Sequence, residues 1–154
     1  SLAEYCSLIS AITEQPIDQG LAVTGALDQF GNVQAIGGVN EKIEGFFKLC
    51  ARRGLTGSQG VIMPKSNVQQ LNLTPDVITA VEQGLFQLYE ITHVDQAVTL
   101  LMGIKAGEAD EDNNFPEDTL YGMVQQRLDR LAGNLDEEPG YFARLLARLP
   151  FFNQ

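Results

Sequence analysis

At 154 residues the chain is long enough for one domain with a sizeable core plus an appendage. An apolar share of 44% with 19% charged residues describes a globular composition, and 10 basic against 20 acidic residues leave a net charge of -10. That balance disfavours a nucleic-acid backbone or an anionic membrane as partner, and no apolar run approaches the ~18 residues a membrane span needs. No signal-peptide pattern opens the chain, and two cysteines on apolar helix faces fit a reducing, cytoplasmic compartment. With one histidine and no clustered cysteines, no metal site is expected.

In chain order, Leu2, Tyr5, Cys6, Ile9, Ile12 and Thr13 mark the inward face of a first helix that ends before Pro16. Residues 21–27 read as a strand, 28–32 as a turn with Gly31-Asn32 at its tip, and 33–36 as the return strand. Gly37-Gly38 then releases the chain into a helix that stops at Gly54. Residues 60–64 form a short apolar strand ended by proline, followed by a helical turn with Asn67 and Asn72 as turn formers. Thr74-Pro75-Asp76 starts a helix that runs to Gly84, with Thr74 as cap and Pro75 at the first position. Residues 86–91 read as a strand and 95–102 as a closing helix.

This alternation predicts an α+β fold with helices packed on a mixed sheet over residues 1–103. Beyond Gly103 the composition shifts: 108–114 is acidic and poor in apolar residues, giving an acidic linker over 104–116 and a helical extension over 117–154. In the extension, 117–132 is an amphipathic helix with Leu120, Met123, Val124, Leu128 and Leu131 on one side. It is expected to pack on the main domain or on a neighbouring protomer. Phe142, Leu145, Leu146 and Leu149 form a second stripe beside Arg144 and Arg148, too short and cation-poor for a membrane anchor and expected to be a disordered or locally packed end in preference to a partner-docking one.

Lys42 is the residue with the most chemical promise. On a helical wheel the apolar face runs through Val39, Ile43, Phe46, Phe47 and Cys50, and Lys42 borders it, while Glu41, Glu44, Lys48 and Arg52 face water. A lysine half out of water in the first turn of a helix feels desolvation and the positive end of the helix dipole, and both disfavour its charged form. A neutral amine can serve as general base to a hydroxyl nucleophile. The alternative is a snorkelling lysine that covers apolar surface.

Residues 1–103 resemble the proteolytic domain of the Lon family of ATP-dependent serine proteases (peptidase family S16), and within it the bacterial Lon-related branch. The resemblance rests on Val23-Thr24-Gly25, the hairpin Gly31-Asn32-Val33-Gln34-Ala35-Ile36, and Gly37-Gly38-Val39-Asn40-Glu41-Lys42. Arg53-Gly54-Leu55-Thr56-Gly57 and Gly60-Val61-Ile62-Met63-Pro64 support it. It implies the Lon proteolytic-domain fold, of the ribosomal S5 domain 2-like type, and a serine–lysine dyad. Lys42 takes the general base's place, and Thr24 that of a residue whose hydroxyl orients the amine.

The family's nucleophilic serine falls two positions before Ser1, outside this sequence, so Ser1 takes the motif's small-residue place. With Ser1 in place of Met at the start, the chain is expected to be a fragment lacking the nucleophile and the strands before it, and to be inactive by itself. The resemblance also implies a hexameric ring, unfolded or damaged polypeptides as substrates, and an ATP/Mg-dependent unfolding module upstream. No cofactor is expected in this domain, and no Gly-x-x-x-x-Gly-Lys-Ser/Thr loop is present. His93 is expected at a strand end or on the surface, outside the chemistry.

Two other functions compete. One is a non-catalytic assembly or substrate-docking module in which Lys42 is a relic. The other is an RNA binder, because the fold resembles a ribosomal domain; the net charge of -10 and the lack of a basic patch count against it.

Overall fold

The computed structural model describes residues 1–133, so the stripe at 142–152 and the end of the extension lie outside the described residues. Helix α1 (Leu2–Thr13) leads to β1 (Leu21–Val23), the hairpin β2 (Ala26–Leu27) and β3 (Val33–Gln34), and then α2 (Val39–Arg53). Strand β4 (Gly60–Pro64), a 3-10 helix (Lys65–Gln70), α3 (Pro75–Glu82), β5 (Gln87–Ile91), α4 (Val94–Met102) and α5 (Leu120–Leu131) complete the described chain.

Strands β1, β4 and β5 form a three-stranded sheet with β4 in the centre, parallel throughout, with Ala22 opposite Val61 and Val61 opposite Leu88. The antiparallel part of the expected mixed sheet is confined to the separate β2–β3 hairpin. All five residues of β4 are buried, which is why its sequence is a continuous apolar run instead of an alternating one. Its side chains divide by the two-residue strand period. Ile62 enters a core with Leu2, Cys6 and Ile9 of α1 and Ala97, Val98 and Leu101 of α4. Val61 and Met63 enter a second core with Ile43, Phe47 and Cys50 of α2, Val77 and Ala80 of α3, and Phe86. The sheet is thus covered on both faces, and Phe47 meets Phe86 edge-on with ring centroids 5.3 Å apart.

Residues 21–27 do not form one strand. Pairing with β4 ends at Val23, and the chain resumes pairing at Ala26 in the hairpin. Between them the Thr24 N–H still donates to the Ile62 carbonyl at 3.0 Å, while the Gly25 carbonyl accepts from the Leu2 N–H at 3.1 Å. The bend therefore keeps the Thr24 N–H and the Gly25 carbonyl hydrogen-bonded. The return strand stops at Gln34, two residues short of expectation.

The segment after Gly103 is anchored at both ends. Ala106 and Leu120 are buried in the α1–α4 core, and the Leu120 and Tyr121 N–H groups donate to the carbonyls of Lys105 and Ala106, each at 2.9 Å. Helix α5 starts at Leu120, three residues later than the charge pattern suggests, because the Thr119 hydroxyl caps it by accepting from the Gly122 N–H at 3.2 Å. Glycine is required at 122, since a Cβ there would collide with the Pro116 carbonyl. Leu120 is buried and Val124 packs half-buried on the same core, but Leu128 and Leu131 are exposed, so the predicted apolar face is covered only toward its N-terminal end.

Candidate active site

The C-terminal end of β1 and the N-termini of α1 and α2 meet at one edge of the sheet. The carboxyl ends of parallel strands are favoured ligand sites, because the chain must leave the sheet there and opens a crevice. Gly38 makes the turn into α2 at φ 69°, in the left-handed region that favours glycine, and its carbonyl accepts from the Lys42 N–H at 3.1 Å.

Lys42 lies in the first turn and a half of α2, and its Nζ donates to Thr24 Oγ1 at 3.3 Å. Thr24 is held in turn by its N–H bond to β4. Val39, Ile43, Phe47 and Cys50 are buried as the wheel requires, and Phe46 is half-buried; Lys42 itself is exposed among the described residues. Around this pair is a cleft of about 490 Å³ whose lining includes Ser1, Ala3, Ala26 and Ile36.

Ser1 caps α1, its hydroxyl accepting from the Glu4 N–H at 3.4 Å. The Leu2 N–H is engaged by Gly25 and the Tyr5 N–H by the Ser1 carbonyl at 3.2 Å. The start of α1 therefore opens directly onto the cleft that holds Lys42 and Thr24.

Asn67, a turn former by sequence, is fully buried. Its Oδ1 accepts from the Ile36 N–H at 3.0 Å, and its Nδ2 donates to the Ile36 carbonyl at 2.9 Å and to Gln70 Oε1 at 2.8 Å. It thereby fixes the backbone of a residue that lines the cleft. Nothing local marks this role, since the partner is 31 positions away.

His93 caps α4, its Nδ1 accepting from the Asp95 N–H at 3.3 Å, and its Nε2 sits 3.1 Å from the Phe30 carbonyl. Its Nδ1 also lies 3.2 Å from Asp95 Oδ2, and the residue fastens the hairpin tip to α4. Nearby, Tyr121 donates to Asp95 Oδ1 at 2.5 Å and Tyr5 donates to the Tyr121 oxygen at 3.1 Å. Burial, reinforced by the hydrogen bond to Asp95, pushes the Tyr121 hydroxyl well above the usual phenol range; burial raises Tyr5 too. These phenols join α5 to α1 and α4 as neutral donors. Among the described residues, no three His, Cys, Asp or Glu side chains gather in a metal-holding group, and no helix is long and apolar enough to cross a membrane.

The fold therefore places a lysine that follows a double-glycine turn beside a threonine at the end of an edge strand of a parallel sheet. Residues 2–103 match the family model described as the Lon protease (S16) C-terminal proteolytic domain, and the chain belongs to that family. It is 45% identical over 138 residues to a Lon protease homolog of Haemophilus influenzae, covering 90% of this chain and 22% of that protein. It is 49% identical over 129 residues to a Lon protease homolog of Escherichia coli K12, covering 83% of this chain and 21% of the relative. An archaeal Lon protease of Methanocaldococcus jannaschii is 36% identical over 98 residues, which are 64% of this chain and 13% of that protein. The chain thus spans about a fifth of the length of the first two relatives.

Proposed function

We propose that this Lon-type domain is the endopeptidase part of a longer ATP-dependent protease that degrades unfolded or damaged polypeptides through a serine–lysine dyad. The observation that carries the reading is the 3.3 Å contact between Lys42 Nζ and Thr24 Oγ1 in a cleft onto which the start of α1 opens. A serine two positions before Ser1 would enter that cleft from the α1 side. Unprotonated Lys42 accepts the serine proton as the oxygen attacks the peptide carbonyl, forming the tetrahedral oxyanion. The Leu2 N–H is already committed to Gly25, so the oxyanion is held by other backbone N–H groups near the start of α1. As the C–N bond breaks, the Lys42 ammonium returns its proton to the leaving amine. Water then gives a proton to Lys42 and attacks the acyl ester, and the proton passes back to the serine oxygen.

Thr24 positions the amine by accepting one of its hydrogens. Because Lys42 is exposed in this chain, the upstream residues and a bound peptide would have to exclude water from it. A hexameric ring enclosing the sites, an ATP/Mg-driven unfolding module upstream and a cytoplasmic location complete the proposal.

The test is cleavage of an unfolded protein by the full-length protease and by its Lys42→Ala variant. Cleavage that the substitution abolishes, with assembly intact, supports the dyad. Undiminished cleavage by the variant sinks it, and no cleavage by an intact wild-type assembly supplied with ATP favours the assembly or docking module.

A further inference from the structure

Helix α2 begins without a side-chain cap, because Gly38 takes the cap position. Gly37, just before it, is equally unconstrained: a Cβ there would meet nothing within 4 Å. The turn that delivers Lys42 to the cleft is therefore free to flex on its own account. What holds it comes from a remote segment, the 3-10 helix and the stretch leading to α3. Before the turn, Asn67 binds both polar groups of Ile36, and its Nδ2 also donates to Gln70 Oε1. After the turn, the Gln70 carbonyl accepts from Asn40 Nδ2 at 3.0 Å, and Asn40 Oδ1 accepts from the Asn72 N–H at 2.8 Å. One helical turn later, Glu44 Oε1 accepts from the Thr74 N–H at 3.2 Å. Residues 67–74 thus form a bracket across Gly37-Gly38, and Gln70 joins its halves, side chain to Asn67 and main chain to Asn40.

At about 100° per residue, Asn40 and Glu44 fall on one flank of the buried stripe Val39-Ile43-Phe47-Cys50, and Lys42 falls on the other. Packing along that stripe is apolar and non-directional, so it resists a roll about the helix axis less sharply than hydrogen bonds on a flank do. A roll of about 10° moves an atom about 6 Å from the axis by about 1 Å. That is enough to carry the 3.3 Å contact between Lys42 Nζ and Thr24 Oγ1 out of hydrogen-bond range. We infer that Asn40 and Glu44 are positioning residues for Lys42. By pinning one flank of α2 to residues 70–74, they set the roll that aims the amine at Thr24. The inference rests on the reading of Lys42 as general base. Neither residue lines the cleft, so contact with substrate does not account for an effect on rate.

The test is steady-state cleavage of an unfolded protein by the full-length protease carrying Asn40→Ala, Glu44→Ala, Glu44→Gln, Thr24→Val, or Asn40→Ala with Thr24→Val. Lys42→Ala is run beside them. Asn40 and Glu44 are half-buried and lie outside both cores, so the fold should persist, as melting curves would verify. Asn40→Ala is expected to lower kcat about tenfold with KM little changed, since misplacing a catalytic group by about 1 Å costs up to about a hundredfold. Glu44→Ala should lose about threefold, and Glu44→Gln, which keeps an acceptor for the Thr74 N–H, should recover most of that loss. The double variant should lose less than the product of its two single losses, because both act through the same amine. Losses that simply multiply would overturn the inference and leave the dyad standing. So would an Asn40→Ala rate equal to the unaltered protease's while Lys42→Ala is inactive. Undiminished cleavage by Lys42→Ala would remove the dyad reading and this inference with it.

Discussion

Asn67 holds both polar groups of Ile36, accepting from its N–H and donating to its carbonyl, across 31 positions of sequence. Replacing it with leucine would keep much of the volume and leave both backbone groups without their partner. The expected cost is about 2–4 kcal/mol, the sum of two partly buried unsatisfied groups. Urea unfolding monitored by circular dichroism measures it. Because Ile36 lines the Lys42 cleft, the same variant in the full-length protease is also expected to lose activity below the temperature at which it melts.

In the proposed dyad, Lys42 is the base and Thr24, 3.3 Å from its Nζ, the positioning residue. Lys42→Ala is expected to lower kcat by about 10²–10⁴, the range for removal of a general base. Thr24→Val removes one hydrogen bond of about 1.5 kcal/mol and should cost about tenfold in kcat with KM little changed. Thr24→Ser keeps the hydroxyl and should recover most of the rate. Equal losses for valine and serine would mean that the methyl group's packing matters and the hydroxyl does not.

Burial pushes the Cys6 thiol up to about 11 and raises Cys50 as well, with the nearby Arg53 opposing the shift only in part. Both thiols are expected to resist maleimide at pH 8 until urea unfolds the chain. For Cys6 the folded state holds its proton to higher pH than the unfolded state. Its contribution is therefore complete below about 8.5, where an unfolded thiol titrates, and is lost as pH rises from there through about 11. Urea midpoints measured between pH 8 and 11 should fall, and Cys6→Ala should flatten part of that slope.

Leu120 is fully buried among α1 and α4 side chains, so Leu120→Ala is expected to destabilise the entire domain by about 2–5 kcal/mol. Tyr121→Phe, which removes the donor to Asp95 and the acceptor for Tyr5, should cost about 1–3 kcal/mol. A single thermal transition shifted downward in both variants would show that α5 unfolds together with the sheet. A separate early transition, leaving the main melt unmoved, would show instead that α5 is an independent unit.

Several elements were legible because their signals are local. Helices α1, α2 and α4 repeat apolar residues with the helical period, and the buried residues of each fall on one face. The split of 21–27 into β1 and β2 was hidden, because Ala22, Val23, Ala26 and Leu27 make a nearly continuous apolar run. What divides them is pairing with Ile62 and Leu2, which are remote in sequence. At α5, Glu117 and Asp118 look like first-turn acids, yet the Thr119 hydroxyl caps a helix that begins at Leu120, three residues past Glu117, and turns back to the Pro116 carbonyl at 2.6 Å. Lys42 stands out at the edge of a helical face after a double glycine. Asn67, Tyr5, Tyr121 and Asp95 do not stand out, since their partners are 26 to 116 positions away.

Helix α1 begins at the cleft, tied there by the Leu2–Gly25 hydrogen bond, and its next two turns lie in the core shared with α4 and Leu120. Over 12 residues it is a rod about 18 Å long, its head beside Lys42 and its shaft clamped by the C-terminal helices. Sliding or tilting the clamp moves the head. The position of the first turn of α1 beside Lys42 is therefore set by packing well away from it, against α4 and Leu120 at the start of α5.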